Sequence, residues 1–451
     1  MKPKQQERSV NDDLFRQRLE QMLDQRHALY RLSGKIDWQA VEQRFGGLYA
    51  EEGRPGVPIR LMVGLHYLKH AFNESDESVV ERWVENPYWQ YFCGEEYFRH
   101  EMPIHPSQMT RFRERIGEDG CEFMLGLTVV AGIATKTVSR SSLAVVNVDT
   151  TVQDKAIAFP TDARLYHKAR GALVRLAKRM GIDLRQSYER VSKLALAKNG
   201  RYAHARQFKR ARREQKRLRT MLGRVIRDIE RKAEAMGADA GSRTELPRLH
   251  RLLGIALRIH AQQRHDKGKV YSVHAPEVEC IAKGKAHKPY EFGVKVGIVT
   301  TSRESFVVGM KSLPGNPYDG HTLTASLEQS ARLTGVQPKE VFVDRGYRGH
   351  GVGDALKVWI AGAKRGVTVS IRKKLKRRNA IEPVIGHMKN DGRLGRNFLK
   401  GAIGDAMNAL LCGAGHNLRK ILRQLALLCA RFGLSLRQLL AGYQPTMQLT
   451  G

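Results

Sequence analysis

Three carboxylates stand where a purely structural role is hard to assign. An apolar run, Val341-Phe-Val, stops at Asp344 and a glycine turn, Arg345-Gly346-Tyr347. A second run, Leu143-Ala-Val-Val-Asn-Val, stops at Asp149. The third acid, Glu382, follows a cationic stretch, Arg372-Lys-Lys-Leu-Lys-Arg-Arg378, and precedes Lys389. An apolar run that ends in an acid and a turn reads as a buried strand delivering a side chain to a site. Three carboxylates within about 4 Å would repel by roughly 4 kcal/mol per pair at an effective dielectric near 20. A divalent cation relieves that repulsion. Hard oxygen ligands suit Mg²⁺, and two such ions about 3.5–4 Å apart serve in-line attack on a phosphodiester. The pattern points to a metal site that handles nucleic acid.

Each of these residues also has a plainer reading. Aspartates end strands as turn formers. Pro383 is tolerated only in a first helical turn, so Asn379 could cap a helix in which Glu382 is the capping-box acid. If one helix carries Arg378, Glu382 and Lys389, their spacing puts them on one face. Tyr347 and His387 could stack on or bond to a nucleotide, and suit packing or solvent as well. Asp319, in Tyr318-Asp-Gly-His321, is a further acid near a strand end; it reads as a loop acid, with metal contact as the lesser alternative.

The elements that would position these groups occupy a long chain. Its 451 residues are enough for two or three domains. Lys and Arg outnumber Asp and Glu by 78 to 45, a net charge of +33. Solubility needs far less, so a polyanionic partner is expected; a membrane surface or ribosomal RNA would also explain it. No run of about 18 apolar residues exists to span a bilayer, and the polar N-terminus lacks a signal-peptide core. Five scattered cysteines, with no C-x-x-C, argue for a reducing compartment and against zinc.

Residues 1 to about 135 read as helical. Leu61, Leu65, Leu68 and Phe72 recur at helical spacing behind Pro58, and Trp83, Tyr88, Trp89, Tyr91 and Phe92 supply core aromatics. A short helix capped by Ser107 carries Arg111, Arg113 and Arg115. It could enter a DNA groove as in a helix-turn-helix, or its arginines could be solvated. From Thr161 to about Asp266 the composition changes to basic helices, with interruptions at Gly181 and Gly200 and a helix resuming from Arg201 to Ala235. Nine cations, Lys209, Arg210, Arg212 and Arg213 among them, face one acid, Glu214, within residues 201–220. Such a surface repels itself unless an anion lies against it. DNA backbone contact is the preferred role; a solvated hairpin or dimer contact is the plainer one. Strand periodicity follows at Tyr290–Thr300, Ser305–Met310, Val341–Asp344 and Val367–Ile371, and a helix at Thr322–Leu333. With the basic segment set aside, the order is that of a mixed sheet with helices on its faces.

Taken together the motifs resemble the DDE transposases of bacterial insertion sequences, in the group with a Tyr-x2-Arg-x3-Glu-x6-Lys signature. Arg378, Glu382 and Lys389 match its last three positions; Leu375 stands at the tyrosine. Asp149 in Asn-Val-Asp-Thr and Asp344 in Val-Asp-Arg-Gly-Tyr match the two aspartates. Tyr271–Cys280, Lys288–Val296, Pro106–Arg113 and Gly415-His-Asn-Leu-Arg419 also look like this group.

The resemblance covers roughly the whole chain. It implies an α/β fold: an RNase H-like mixed sheet flanked by helices, a helical insertion, and an all-α N-terminal domain. The expected divisions are a DNA-binding and dimerisation domain at 1–135, a catalytic domain at 136–160 with 267–440, and a basic insertion at 161–266. Asp149, Asp344 and Glu382 are expected as catalytic metal ligands for Mg²⁺, with Mn²⁺ able to substitute. Arg378, Lys389, Arg111, Arg113, Lys209, Arg210, Arg212 and Arg213 are expected to bind DNA. The implied partner is double-stranded DNA, at element ends and target, with a homodimer on it, no membrane, and a cytoplasmic, nucleoid-associated location. The competing readings are a catalytically inactive DNA-binding descendant and an RNA-binding protein. The few aromatics among the basic helices count against the latter.

Overall fold

A computed structural model describes residues 16–50, 52, 55–235, 245–282, 289–353, 356–363 and 366–441. The chain forms two compact units, the first from residues 1–153, 295–399 and 403–451, the second from 154–294 and 400–402.

The first unit begins with helices α1 (Leu19–Met22), α2 (Ala28–Ser33), α3 (Trp38–Gly46), α4 (Ile59–Ala71), α5 (Asp76–Glu85), α6 (Pro87–Phe92) and α7 (Ser107–Ala134). Every residue of α4 except Arg60 is buried, and Tyr67 donates to the Met124 carbonyl of α7 at 2.8 Å. A helix buried almost all round has no solvent face to keep, so it becomes the centre of its neighbourhood. Trp83 and Phe92 close the core beside it. Ser75 and Ser78 cap α5 reciprocally, each side chain accepting from the other's backbone N–H. The expected short helix at Ser107 is much longer, with a break at Gly117, whose φ is 63°. Ser107 does not cap it; its N–H donates instead to His105 Nδ1 at 3.3 Å.

The sheet follows. β1 (Val145–Asp154), β5 (Glu340–Val343) and β6 (Lys357–Ile360) are parallel neighbours, and β3 (Tyr290–Thr301) pairs antiparallel with β4 (Val307–Leu313). The strand path is β3-β1-β5-β6, with β4 on the other side of β3. Val341, Phe342 and Val343 are fully buried, as expected for a parallel strand covered on both faces. α12 (Asp319–Thr334), α13 (Val369–Arg378), α14 (Ile381–Asp391) and α15 (Gly401–Ala441) complete the unit.

Two local expectations differ from the structure, at Val367–Ile371 and at Asp149, and one open alternative resolves, at Arg378 and Glu382. Val367–Ile371 is not a strand: the Thr368 hydroxyl accepts from Ile371 N and starts α13, so a β-branched run sits at a helix cap. Arg378 and Glu382 ride on two helices, with Asn379 and Ala380 between them. Asp149 is inside β1 rather than at its end. The strand continues because polar Gln153 is satisfied by the Asp405 carbonyl and by Asn408 of α15.

In the second unit, α8 (Asp162–Arg179), α9 (Glu189–His204), α10 (Phe208–Ala235) and α11 (Leu246–Ala261) pack around Leu173, Leu176, Leu222, Ile226, Leu249 and Ile259. Each such side chain, fully buried, contributes about 1.5–3 kcal/mol. Leu218, Leu222, Val225 and Ile229 form the inward stripe of α10, which leaves its cations outward. Gly200 does not interrupt this unit; it lies within α9, and the break falls at Ala205–Gln207. A short antiparallel pair, β2 (Glu279–Ala282) with the start of β3, ends the unit.

Candidate active site

Register brings the two aspartates together. β1 and β5 pair as Val145↔Glu340, Val146↔Val341 and Asn147↔Phe342. Continued for two residues, that register sets Asp149 opposite Asp344, although 195 positions separate them in sequence. Backbone N–H groups then fix the carboxylates. Asp149 Oδ1 accepts from Thr150 N at 2.8 Å and Asp344 Oδ1 from Gly346 N at 2.9 Å.

Arg378, at the end of α13, is the cation between the acids. Its Nη2 is 2.8 Å from Asp149 Oδ2 and 3.9 Å from Asp344 Oδ2, and its Nη1 is 4.0 Å from Glu382 Oε1. One guanidinium therefore gathers all three acids expected to act together. Their exposure grades outward: the side chains of Arg378, Asp149, Asp344 and Glu382 are 9%, 14%, 38% and 67% exposed. Glu382 occupies the first turn of α14, where Pro383 is also accommodated. No side chain caps that helix, so the capping-box role for Glu382 does not hold. Among the described residues, no group of three or more His, Cys, Asp or Glu is close enough to hold a metal ion as it stands.

Asp319 is the acid that sequence reading undervalued. It opens α12, and its Oδ1 accepts from Thr150 Oγ1 and from Lys295 Nζ, both at 3.0 Å. Gly346 reports its closeness to Asp344. A Cβ there would lie 3.1 Å from Asp344 Oδ1 and 3.2 Å from Asp319 Oδ2, so the two carboxylates flank one backbone position. The Tyr-Asp-Gly-His turn was the available signal, but nothing in it announced Lys295 or Thr150 as partners. Beneath these acids lies Tyr347. Burial, then the negative charge of Asp149, Asp319 and Asp344, drive its phenol pKa far above the ordinary range. A group so placed stays protonated. It is fully buried and not open to a nucleotide, which agrees with the packing reading.

Residues 17–115 match the family described as "Transposase domain (DUF772)", and residues 258–418 match "Transposase DDE domain". The chain belongs to the DDE transposases of insertion sequences. It is also similar to an uncharacterized protein, ORF8 in the nfe locus of Rhizobium meliloti, at 58% identity over 200 residues, which are 44% of this chain and 97% of that protein. No solved structure matches the chain. Family membership implies an enzyme of the polynucleotidyl-transferase type that acts on DNA. Asp344, Arg378, Glu382 and Lys389 fall inside the DDE match; Asp149 lies outside both matched segments.

The expected DNA-facing cations of the transposase divide. Lys209, Arg210, Arg212 and Arg213 are exposed on α10, and Arg111 is exposed beside a cleft of about 1210 Å³. Lys389 is half-buried near the end of α14. Arg113 is a correction. Its side chain is 2% exposed and grips Asp76 through Nη1 at 2.9 Å and Nη2 at 2.5 Å, with Lys69 Nζ on the same carboxylate at 2.7 Å. It is a core ion pair and presents nothing to a groove. Arg378 is corrected too: it faces the acids rather than an open phosphate-binding surface. His387 is exposed and bonds to Asp391 at 2.9 Å. Among the described residues, no helix is long and apolar enough to cross a membrane.

Proposed function

We propose that the transposase binds its element's terminal inverted repeats as double-stranded DNA, hydrolyses a strand at each end, and joins the freed 3′ hydroxyl to target DNA. One observation carries this reading: Asp149, Asp344 and Glu382, far apart in sequence, converge on Arg378. The parallel β1-β5-β6 strands, with β3 and β4 beside them, agree with an RNase H-like core.

The donor set fits a hard divalent ion. It consists of carboxylate oxygens alone, two of its acids are well exposed, and it has more negative charge than one guanidinium balances. Asp149, Asp344 and Glu382 would hold Mg²⁺, or Mn²⁺ in its place. When bound, such ions neutralise charge developing on the scissile phosphate and favour deprotonation of the attacking water or hydroxyl. The protein's own part is orientation. Thr150 N and Gly346 N aim the aspartates, and Lys295 and Thr150 hold Asp319 alongside. Arg378 keeps the acids gathered, and Lys389 would grip a phosphate beside the cut.

DNA holding would fall to residues 1–135 through Arg111, and to the 161–266 insertion through Lys209, Arg210, Arg212 and Arg213, with catalysis in a domain of 136–160 and 267–440. A homodimer on paired ends, working on the nucleoid in the cytoplasm, completes the proposal. The test uses duplexes carrying the inverted repeats that flank the gene. Glu382→Gln should abolish cleavage and leave a gel shift intact; cutting by this variant overturns the assignment. With about 6–10 phosphate contacts, affinity should drop by roughly 10³–10⁵ between 50 and 200 mM salt.

A further inference from the structure

The second unit contains a cavity that the DDE chemistry does not use. It has a volume of about 580 Å³, between one face of α8 and the start of α9. His167, Gly171, Val174 and Lys178 recur along that face at helical spacing, and Gly171 leaves the middle of it bare. A Cβ at Gly171 would meet nothing nearer than Arg175 Nη1 at 3.5 Å, so the glycine opens onto free space. Mid-helix glycine is unfavourable, and here it produces concavity instead of a turn.

Five cations line the cavity, Lys168, Arg170, Arg175, Lys178 and Lys193, against one carboxylate, Glu189. Arg170 is the unusual one. It is 4% exposed, its Nη1 donates to the Ser187 carbonyl at 2.6 Å, and its buried Nε has no hydrogen-bond partner. A buried guanidinium N–H without a partner is costly, and a ligand oxygen would satisfy it. His167 is held by Ser192 Oγ at 2.6 Å and His274 by Ser272 Oγ at 3.0 Å, so the two imidazoles at the rim are fixed in place. Burial, then the charges of Arg170 and Lys168, lower the His167 pKa, which agrees with a strongly positive interior. Ala172, Val174 and Val273 add apolar wall that a bare inorganic anion would not need.

We propose that this cavity binds one phosphate-bearing nucleotide, with the phosphate at Arg170 and its lysine neighbours and the base or sugar against the apolar wall. That the nucleotide belongs to a DNA strand rests on the transposase reading; the phosphate and size selectivity do not. The experiment follows full-length protein by fluorescence anisotropy with a 3′-labelled, 5′-phosphorylated thymidine tetranucleotide. Competitors are thymidine monophosphate, thymidine, inorganic phosphate and the unphosphorylated tetranucleotide.

Thymidine monophosphate should compete at least tenfold better than thymidine or inorganic phosphate. If the strand end is the source, the 5′-phosphorylated tetranucleotide should exceed both its unphosphorylated form and the free nucleotide. If a free nucleotide is the source, thymidine monophosphate should match it. Gly171→Leu fills the cavity, keeps every charge and favours the helix; it should weaken probe binding at least tenfold and leave inverted-repeat duplex binding unchanged. Gly171→Ala, which adds one methyl to open space, should change probe binding less than threefold. Paired Lys168→Gln and Lys193→Gln give the same loss should the leucine variant not fold. Equal competition by thymidine and its monophosphate, or unchanged binding in Gly171→Leu, overturns the proposal. Failure of wild type to bind inverted-repeat duplex would instead sink the DNA reading and leave the nucleotide result standing.

Discussion

Two arginine-centred clusters in the first unit are built in opposite proportions. Around Arg113, two cations share one carboxylate, Asp76, at 2.5 to 2.9 Å. Around Arg378, three carboxylates share one cation, two of them at 3.9 and 4.0 Å. The first cluster is closed and short-bonded. Burial opposes ionisation of Asp76, yet Arg113 and Lys69 outweigh it and hold the carboxyl below its ordinary range. His66 completes that cluster as a neutral ring, taking a hydrogen bond from Arg113 on one nitrogen and approaching the Met62 carbonyl with the other. The second cluster is loose, exposed on one side, and short of positive charge. An ion pair that serves the fold satisfies itself; one that serves chemistry leaves charge for something else to balance.

Mutations should separate the two most sharply. Asp149→Asn, Asp344→Asn or Glu382→Gln should each lower DNA cleavage by on the order of 10³ or more while moving the unfolding midpoint little, read by a nicking assay beside thermal melts. Arg113→Ala should do the reverse. It leaves partly buried Asp76 to Lys69 alone and should cost about 3–5 kcal/mol in denaturant unfolding, with residual activity tracking the folded fraction. A fully stable Arg113→Ala protein would erase the contrast.

Acid should find the closed region first. Burial, and then neighbouring cations, push the His66 and His416 pKa values down to about 3 from an ordinary 6.5, and His70 is likewise lowered. A depressed pKa means the unfolded chain takes up the proton first. Stability is therefore full above pH 6.5 and drains as pH falls toward 3, by about 1.4 kcal/mol per pH unit for each ring. Melts at pH 7, 6 and 5 should show a steepening decline, and His66→Gln should flatten it. The smallest expected effect is at Gly346→Ala. The added methyl presses on Asp344 and Asp319 and should cut turnover by about tenfold with the melting midpoint near wild type, as for a modest misplacement of reacting groups.

Local pattern revealed the strands that matter and little about who meets whom. Val341–Val343 with Asp344, and the β3–β4 pair, were legible because apolar runs bounded by turns have few other solutions. β6 was not singled out, although Val358-Trp-Ile is an apolar run of the same length as that of β5. β1 runs past Asp149 to Asp154, where α15 satisfies Gln153, a partner that no local pattern announces. Arg113 read as a groove-facing cation because its partner, Asp76, is 37 residues away, and no helical spacing relates the two. Asp319 read as loop for the same reason: Lys295 and Thr150 reach it only once the chain has folded. The Arg378 and Glu382 spacing fits one helix, Pro383 fits a fresh start near Asn379, and the break at Asn379 and Ala380 leaves their i,i+4 proximity intact.

The parallel alignment of β1 with β5 has a consequence for how this sequence can vary over time. The long stretch between Asp149 and Asp344 can gain or lose residues at its loops at little cost. Inside either strand, however, a single inserted or deleted codon would turn one aspartate to the opposite side of the sheet. Length drift among descendants should therefore be plentiful in the turns and absent from the handful of positions leading up to each acid.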